Sequence, residues 1–293
     1  MNDAAEPLQN FAAFGKLYRA HFMGPNWRRC QGWEDCPWDG IGLFLWSYAF
    51  ERQGRRPDFS PAALHVVREL KEEGFEIDQP KAASEAWCRF SKELGDQRLN
   101  PASSPMAPKG TRYLRRSTTL VTTQPSAIQV AGQLRQSIVT HVLDLLRTGE
   151  TKSAHAMVAS INGVGAKIAS LFLRDVGSYY GLSAITDRYL LQPIDTWIRR
   201  AAQLCLNVSD QNSPEHVGRA IVEACQACGI SPEEANEGMW YFGAIIAQSE
   251  YGLRQAIGDS GRFHTIAREY VSALRDVVAA YAVGGAGSSS AAP

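Results

Sequence analysis

The sequence predicts an all-α fold, and three observations carry that expectation. Apolar residues return at helical spacing along most of the chain. No stretch of any length alternates apolar and polar residues as a half-buried strand does. Helix starts of the preferred chemistry recur, as at Ser60-Pro61 and Ser231-Pro232, where a serine cap precedes a proline at the first helical position.

Phe11 to Met23 has helical spacing, and Pro25 to Pro37 reads as a loop carrying Trp27, Arg28, Arg29 and Trp33. Pro37-Trp38-Asp39-Gly40 leads into IGLFLWSYAFERQG, apolar enough for a buried helix. Ser60 to Glu73 is a helix capped by Ser60, and Lys81 to Leu94 is another, burying Ala83, Trp87, Phe90 and Leu94. Residues 99–125 are rich in Pro, Ser and Thr and read as a long connection. Within it Lys109, Arg112, Arg115 and Arg116 surround Tyr113 and Leu114, a composition that suits a nucleic-acid backbone or simply solvent. Ser126 to Arg147 reads as one amphipathic helix through Ile128, Ala131, Leu134, Ile138, Val142 and Leu145. Further helices are expected over Thr196 to Leu206, Pro214 to Cys228, Ser231 through Trp240 to Ile246, and Phe263 to Tyr281. Gly284 to Pro293 is Gly-, Ala- and Ser-rich and reads as a disordered tail.

Composition narrows the class. The 293 residues, 45% hydrophobic and 20% charged, describe a globular chain with ample core material, organised here as one domain over 11–283. No apolar run is long enough to span a bilayer, so no membrane partner is expected. Met1 to Asn10 is acidic and polar, unlike a signal peptide, and the six cysteines form no dense disulfide pattern; a reducing cytoplasm is the expectation. The formal charge is zero, so any phosphate contact must come from local basic patches rather than bulk attraction.

The chain is organised around residues 153–200. A helical stretch from Ser153 to Ser160 leads into the turn Ile161-Asn162-Gly163-Val164-Gly165, and a second helical run covers Ala166 to Val176. Two glycines one residue apart let a backbone turn sharply and approach a ligand without a Cβ in the way. A helix starting just after them points unpaired N–H groups outward, suited to a phosphate. From the turn alone, an αα-hairpin with a glycine C-cap is an equally good reading. Lys167 stands in the first turn of the second helix, and Asp195 follows 28 positions later in Pro193-Ile194-Asp195-Thr196-Trp197-Ile198-Arg199.

This ordered pair of motifs, Gly163-Val164-Gly165-Ala166-Lys167-Ile168-Ala169 and Asp195-Thr196-Trp197-Ile198-Arg199, resembles the helix-hairpin-helix DNA glycosylase superfamily. Asn162 stands where that family usually has proline and Trp197 where it usually has histidine, and an inserted loop near Gly177 to Gln192 lengthens the spacing. The resemblance implies a two-lobed helical glycosylase fold and a monomer acting on double-stranded DNA that carries a damaged or modified base. It implies Lys167 as nucleophile and Asp195 as its electrostatic and general-base partner, with Gly163, Val164, Gly165 and Arg199 against the DNA backbone. Leu171, Trp240 and Phe242 would line the base pocket. Phe50, Arg52 and Gln53 would fill the gap left by the extruded base.

The chemistry needs these residue types. A neutral lysine amine can attack the sugar C1′, expel the base and leave a Schiff base, and a carboxylate nearby stabilises the cationic sugar. Apart from catalysis, Lys167 would be an ordinary solvated lysine, and Asp195 the N-cap of the helix that follows; the cap and catalytic roles are compatible. The expected activity is that of a bifunctional DNA glycosylase and abasic-site lyase, with an oxidised purine as first substrate. A modified pyrimidine, as in phage DNA, and a non-catalytic hairpin that only binds DNA are the alternatives. No cofactor is called for. Only Cys205, Cys225 and Cys228 follow Asp195, too few for the family's four-cysteine iron–sulfur cluster, and a metal site joining Cys30, Cys36, Cys225 and Cys228 is the weaker reading beside packed free thiols.

Overall fold

The computed structural model describes residues 4–50, 58–95, 104–107, 124–206, 208–259, 261–266 and 269–270. Among them the regular secondary structure is entirely helical and no β-strand forms, so the all-α class holds. The helices are α1 (Ala5–Tyr18), α2 (Gly24–Arg29), α3 (Pro37–Phe44), α4 (Phe59–Glu72), α5 (Ala82–Glu93), α6 (Ala127–Leu134) and α7 (Ile138–Arg147). They continue with α8 (Thr151–Ala159), α9 (Ala166–Tyr179), α10 (Thr196–Leu206), α11 (Pro214–Ala227), α12 (Pro232–Tyr241) and α13 (Glu250–Ile257). Three π-helical turns, Arg19–Met23, Leu45–Ala49 and Phe242–Ala247, extend α1, α3 and α12. Such turns re-aim the side chains that follow, and two of these three put residues into the cavity described below.

The N- and C-terminal parts of the chain lock together through α1 and α12. A Cβ on Gly238 would lie 1.7 Å from the carbonyl oxygen of Phe11, and one on Gly15 would lie 2.2 Å from that of Glu234. Only glycine permits that backbone-to-backbone approach. Beside it Phe11, Phe14, Phe242 and Phe263 pack as a cluster of tilted and edge-on rings 4.7–6.1 Å apart.

Several elements differ from the sequence expectation, each for a physical reason. Residues 25–29 are helical rather than loop: α1, the π turn and α2 run on with helical dihedrals, and Pro25 falls in the first turn of α2. The wide π turn ahead of it leaves room for a ring and for a residue with no N–H to donate. The single helix expected over Ser126 to Arg147 is two. Arg135 is left-handed at φ 57°, and Ser137 then caps α7, accepting from the Val139 N–H and bonding the Trp33 carbonyl. The apolar period survives the break, so spacing alone hides it. Ser60 is not a cap: α4 begins at Phe59, and Ser60 is buried in its first turn with no hydrogen-bond partner for its hydroxyl among the described residues. Within the expected long connection, Met106 is fully buried and the Pro105 carbonyl accepts from the Ala127 N–H at 2.8 Å. Helix α13 was not expected at all, and the basic cluster from Lys109 to Arg116 and the tail lie outside the described residues. None of the described helices is long and apolar enough to cross a membrane.

Candidate functional site

The hairpin is built from α8, a tight turn and α9. Gly163 takes φ 74°, closed to most L-residues, and the Val164 N–H bonds the Ile161 carbonyl at 3.0 Å while Val164 itself is buried. The Asn162 N–H donates to the Pro125 carbonyl at 2.8 Å, tying the turn to the start of α6. Gly165 opens α9 in an extended conformation, and among the described residues no side chain caps the helix and no atom lies within 4 Å of where a Cβ would stand. The first N–H groups of α9 thus have no side-chain partner among the described residues. His155 Nε2 lies 3.2 Å from the Ala166 carbonyl and 3.2 Å from the Ser170 hydroxyl, pinning α8 against the start of α9. Burial lowers its pKa, so the neutral ring with Nε2–H donating to the carbonyl is the form that fits.

Asp195 caps α10. Its Oδ1 accepts from the Trp197 and Ile198 N–H groups at 2.9 and 3.0 Å, the cap anticipated from sequence. Trp197 is seated against Gly243, where a Cβ would come within 2.9 Å of its ring, so α10 is registered on the π turn after α12.

Lys167 and Asp195 line one cavity of about 310 Å³, together with Leu171 and Trp240. Lys167 is exposed, Asp195 half-buried. The walls are aromatic: the rings of Phe22 and Trp240 meet edge-on at 5.5 Å, those of Tyr18 and Trp240 at 5.7 Å, and Tyr18 stacks with Phe22 at 6.1 Å. Met23, Asn26, Ser47 and Tyr48 complete much of the rest.

Part of the wall is a buried charged network. Arg174 and Asp175, consecutive on α9 and each 1% exposed, pair at 2.8 Å. The other oxygen of Asp175 accepts from the Tyr18 hydroxyl at 2.8 Å and from the Tyr48 hydroxyl at 3.1 Å, and the Trp27 indole donates to Tyr48 at 2.7 Å. Arg174 also donates to Asn236 at 2.9 Å and lies over the Tyr18 ring at 4.8 Å. Glu237 accepts from Arg19 and Ser178, both at 2.7 Å, and sits 3.9 Å from Arg174. Burial works against the charge on Arg174, but Asp175, Tyr18 and Glu237 hold it protonated above its usual range. Burial and the Asp175 charge push the Tyr18 and Tyr48 phenols well up, so both remain neutral donors.

Of the residues singled out from sequence, Lys167, Leu171, Asp195 and Trp240 meet at this cavity. Phe242 and Phe50 do not. Phe242 turns into the Phe11, Phe14 and Phe263 cluster, and Phe50 is 1% exposed, stacked on Phe90 at 5.9 Å and edge-on to Phe59 at 5.7 Å. Phe50 directly follows the π turn Leu45–Ala49, and Phe242 opens the π turn Phe242–Ala247. Arg52 and Gln53 lie outside the described residues. Arg199 is occupied: its Nη1 donates to the carbonyls of Asp210 at 3.2 Å and Asn212 at 2.8 Å, fastening the turn ahead of α11. Among the described residues no three His, Cys, Asp or Glu side chains converge on a metal position, and the cysteines are free; burial raises Cys30 to about 11 and Cys225 to about 12.

Sequence reasoning missed Tyr18, Asn26, Tyr48, Arg174 and Asp175. For the α9 pair a signal existed: positions 167, 171, 174, 175 and 178 share one helical face, and an Arg-Asp pair interrupts an otherwise apolar run.

The structure thus brings a lysine and a helix-capping carboxylate onto one aromatic-walled cavity of an all-helical protein. No protein-family model matches the chain, and no solved structure does. A segment of 73 residues is 37% identical to the uncharacterized protein MJECL21 of Methanocaldococcus jannaschii, covering 24% of this chain and 17% of that protein.

Proposed function

We propose that this protein is a bifunctional DNA glycosylase and abasic-site lyase of the helix-hairpin-helix type, with the two-lobed fold that class implies. The observation that carries the reading is the meeting of Lys167 and Asp195 at one aromatic-walled cavity, at the foot of a hairpin whose helix start is open. An extruded base enters the cavity and is held between aromatic walls. The Lys167 amine, desolvated as DNA covers the exposed rim, attacks C1′; the C1′–N bond breaks, and the base leaves with its electron pair and takes a proton. Asp195, whose Oδ1 is spent on the cap, offers its remaining oxygen to the cationic sugar. The amine nitrogen loses its proton, and the C1′–O4′ bond breaks with the ring oxygen taking up a proton, so the adduct opens to a Schiff base between Lys167 and C1′. This acidifies the 2′ hydrogen, whose removal as a proton expels the 3′ phosphate by β-elimination. An oxidised purine remains the first substrate to try.

Borohydride trapping tests the reading. Wild-type protein should form a covalent adduct with abasic-site DNA, and Lys167→Gln should form none while still binding duplex. A trapped adduct of undiminished yield in the variant rules Lys167 out.

A further inference from the structure

We propose that a groove formed by α2, α4 and the π turn at Leu45–Ala49 seats phosphates of the DNA strand that flanks the base in the cavity. The proposal rests on the reading of that cavity as a DNA site. Two adjoining hollows of about 240 and 410 Å³ share Arg29, Leu64 and Arg68 in their linings. Arg28 stands at one end and Trp46 at the other. Trp38, Leu64 and Val67 line the groove beside the side chains of Arg28, Arg29 and Arg68.

Three features make this more than a solvated basic surface. First, Arg28, Arg29 and Arg68 form no ion pair among the described residues, and the one acid lining the groove, Asp39, is engaged by Lys71 at 2.5 Å. In a chain of zero formal charge, three uncompensated arginines on one groove are a local excess. Second, two of the three are held in place: Arg29 lies 4.5 Å over the Trp46 ring, and Arg68 donates to the Arg29 carbonyl at 2.9 Å. Placed guanidinium forks match phosphate oxygens at little ordering cost. Third, the groove adjoins the cavity. Trp46 donates its indole N–H to Asn26 at 3.2 Å, and Asn26 lines the cavity, so that contact is the partition between the two. The short helix α2 turns Asn26 to the cavity and Arg28 and Arg29 to the groove. A strand with one base in the cavity would pass from it, across the Asn26–Trp46 contact, to the side on which the three arginines stand.

The shared chemistry is a phosphate ester, and a free nucleotide is the other source. The test uses full-length protein and a fluorescent duplex with a stable tetrahydrofuran abasic analogue, titrated from about 50 to 300 mM salt. The triple variant Arg28→Ser, Arg29→Ser, Arg68→Ser should lose at least tenfold in affinity at low salt. Its log–log salt slope should fall by about two to three, since each phosphate contact contributes about 0.9. A control triple at the exposed Arg219, Arg254 and Arg262 matches the charge change and should bind like wild type. An unchanged slope, or an equal loss in the control, overturns the proposal. So does a deoxynucleoside triphosphate that binds wild type and not the triple variant while duplex binding stays the same. Should the triple variant fail to fold, Arg28→Ser, which removes a side chain with no other polar partner among the described residues, should still lower the slope by about one. The lyase reading fails separately: wild type that gives no trapped adduct yet loses duplex binding in the triple variant keeps the groove and sinks the lyase.

Discussion

Tyr18, on the first helix, donates its phenol hydrogen to Asp175, 157 positions later, at 2.8 Å, and both residues line the cavity that holds Lys167 and Asp195. The bond ties the N-terminal helix to the helix that begins at the hairpin turn. The cavity wall is thus set by a polar contact inside an otherwise apolar interior. Such contacts hold a geometry because each member is costly to leave unsatisfied.

Asp175→Asn should therefore be severely destabilising, by about 3 kcal/mol, the scale for breaking a buried ion pair. It leaves the Arg174 guanidinium buried, with Glu237 at 3.9 Å as the nearest charge of opposite sign. Tyr18→Phe should cost only about 1 kcal/mol, one hydrogen bond with the ring retained. Urea unfolding of both variants checks this, and an Asp175→Asn cost below that of Tyr18→Phe would contradict it.

Glu237 makes stability depend on pH. Its burial pushes the carboxyl from the ordinary 4.5 up to about 7, against the pull of Arg174 and Arg19. The folded state then holds that proton more tightly than the unfolded chain. The associated stability is full below about pH 4.5 and is lost as pH rises through about 7. Glu237→Gln, neutral throughout, should remove this component. The difference in Tm between wild type and variant should fall to its lowest by about pH 8, and a difference that is flat from pH 4.5 to 8 would refute the assignment.

The open space around Gly165 separates folding from binding. Gly165→Ala meets nothing within 4 Å among the described residues, and trading glycine for alanine at the cap of α9 should cost no more than about 1 kcal/mol. Against a DNA backbone lying on the first turn of α9, the added methyl should weaken duplex binding about tenfold. Equal affinity for wild type and variant would show that DNA does not approach there.

Much of this arrangement was legible in the sequence. The Gly163-Val164-Gly165 turn, Lys167 in the first turn of α9 and Asp195 capping α10 all follow from local rules, because caps and tight turns are set by a few adjacent residues. The break at Arg135 and the π turns were not, because each changes register without disturbing the apolar period. The family resemblance alone places Phe50 and Phe242 at the DNA site, and in the structure both are buried in the core. Tyr18, Tyr48 and Asn26 were invisible for another reason. They reach the cavity only through long-range packing of α1, α2 and the π turn after α3 against α9, which no local pattern encodes.

Asp195 has two roles that two substitutions separate. Asparagine is as good a cap as aspartate, so Asp195→Asn should keep the Oδ1 bonds to Trp197 and Ile198 and leave stability near wild type. It removes the negative charge from the cavity, and turnover should fall on the order of a hundredfold, as when a transition-state charge loses its partner. Asp195→Ala removes both, and should add about 1 kcal/mol of destabilisation to a similar loss of rate. Single-turnover excision and thermal melting of the two variants side by side read the two effects independently. If Asp195→Asn turns over at the wild-type rate while Asp195→Ala loses only stability, the carboxylate is a cap and nothing more, and the assignment of Asp195 as partner of Lys167 falls.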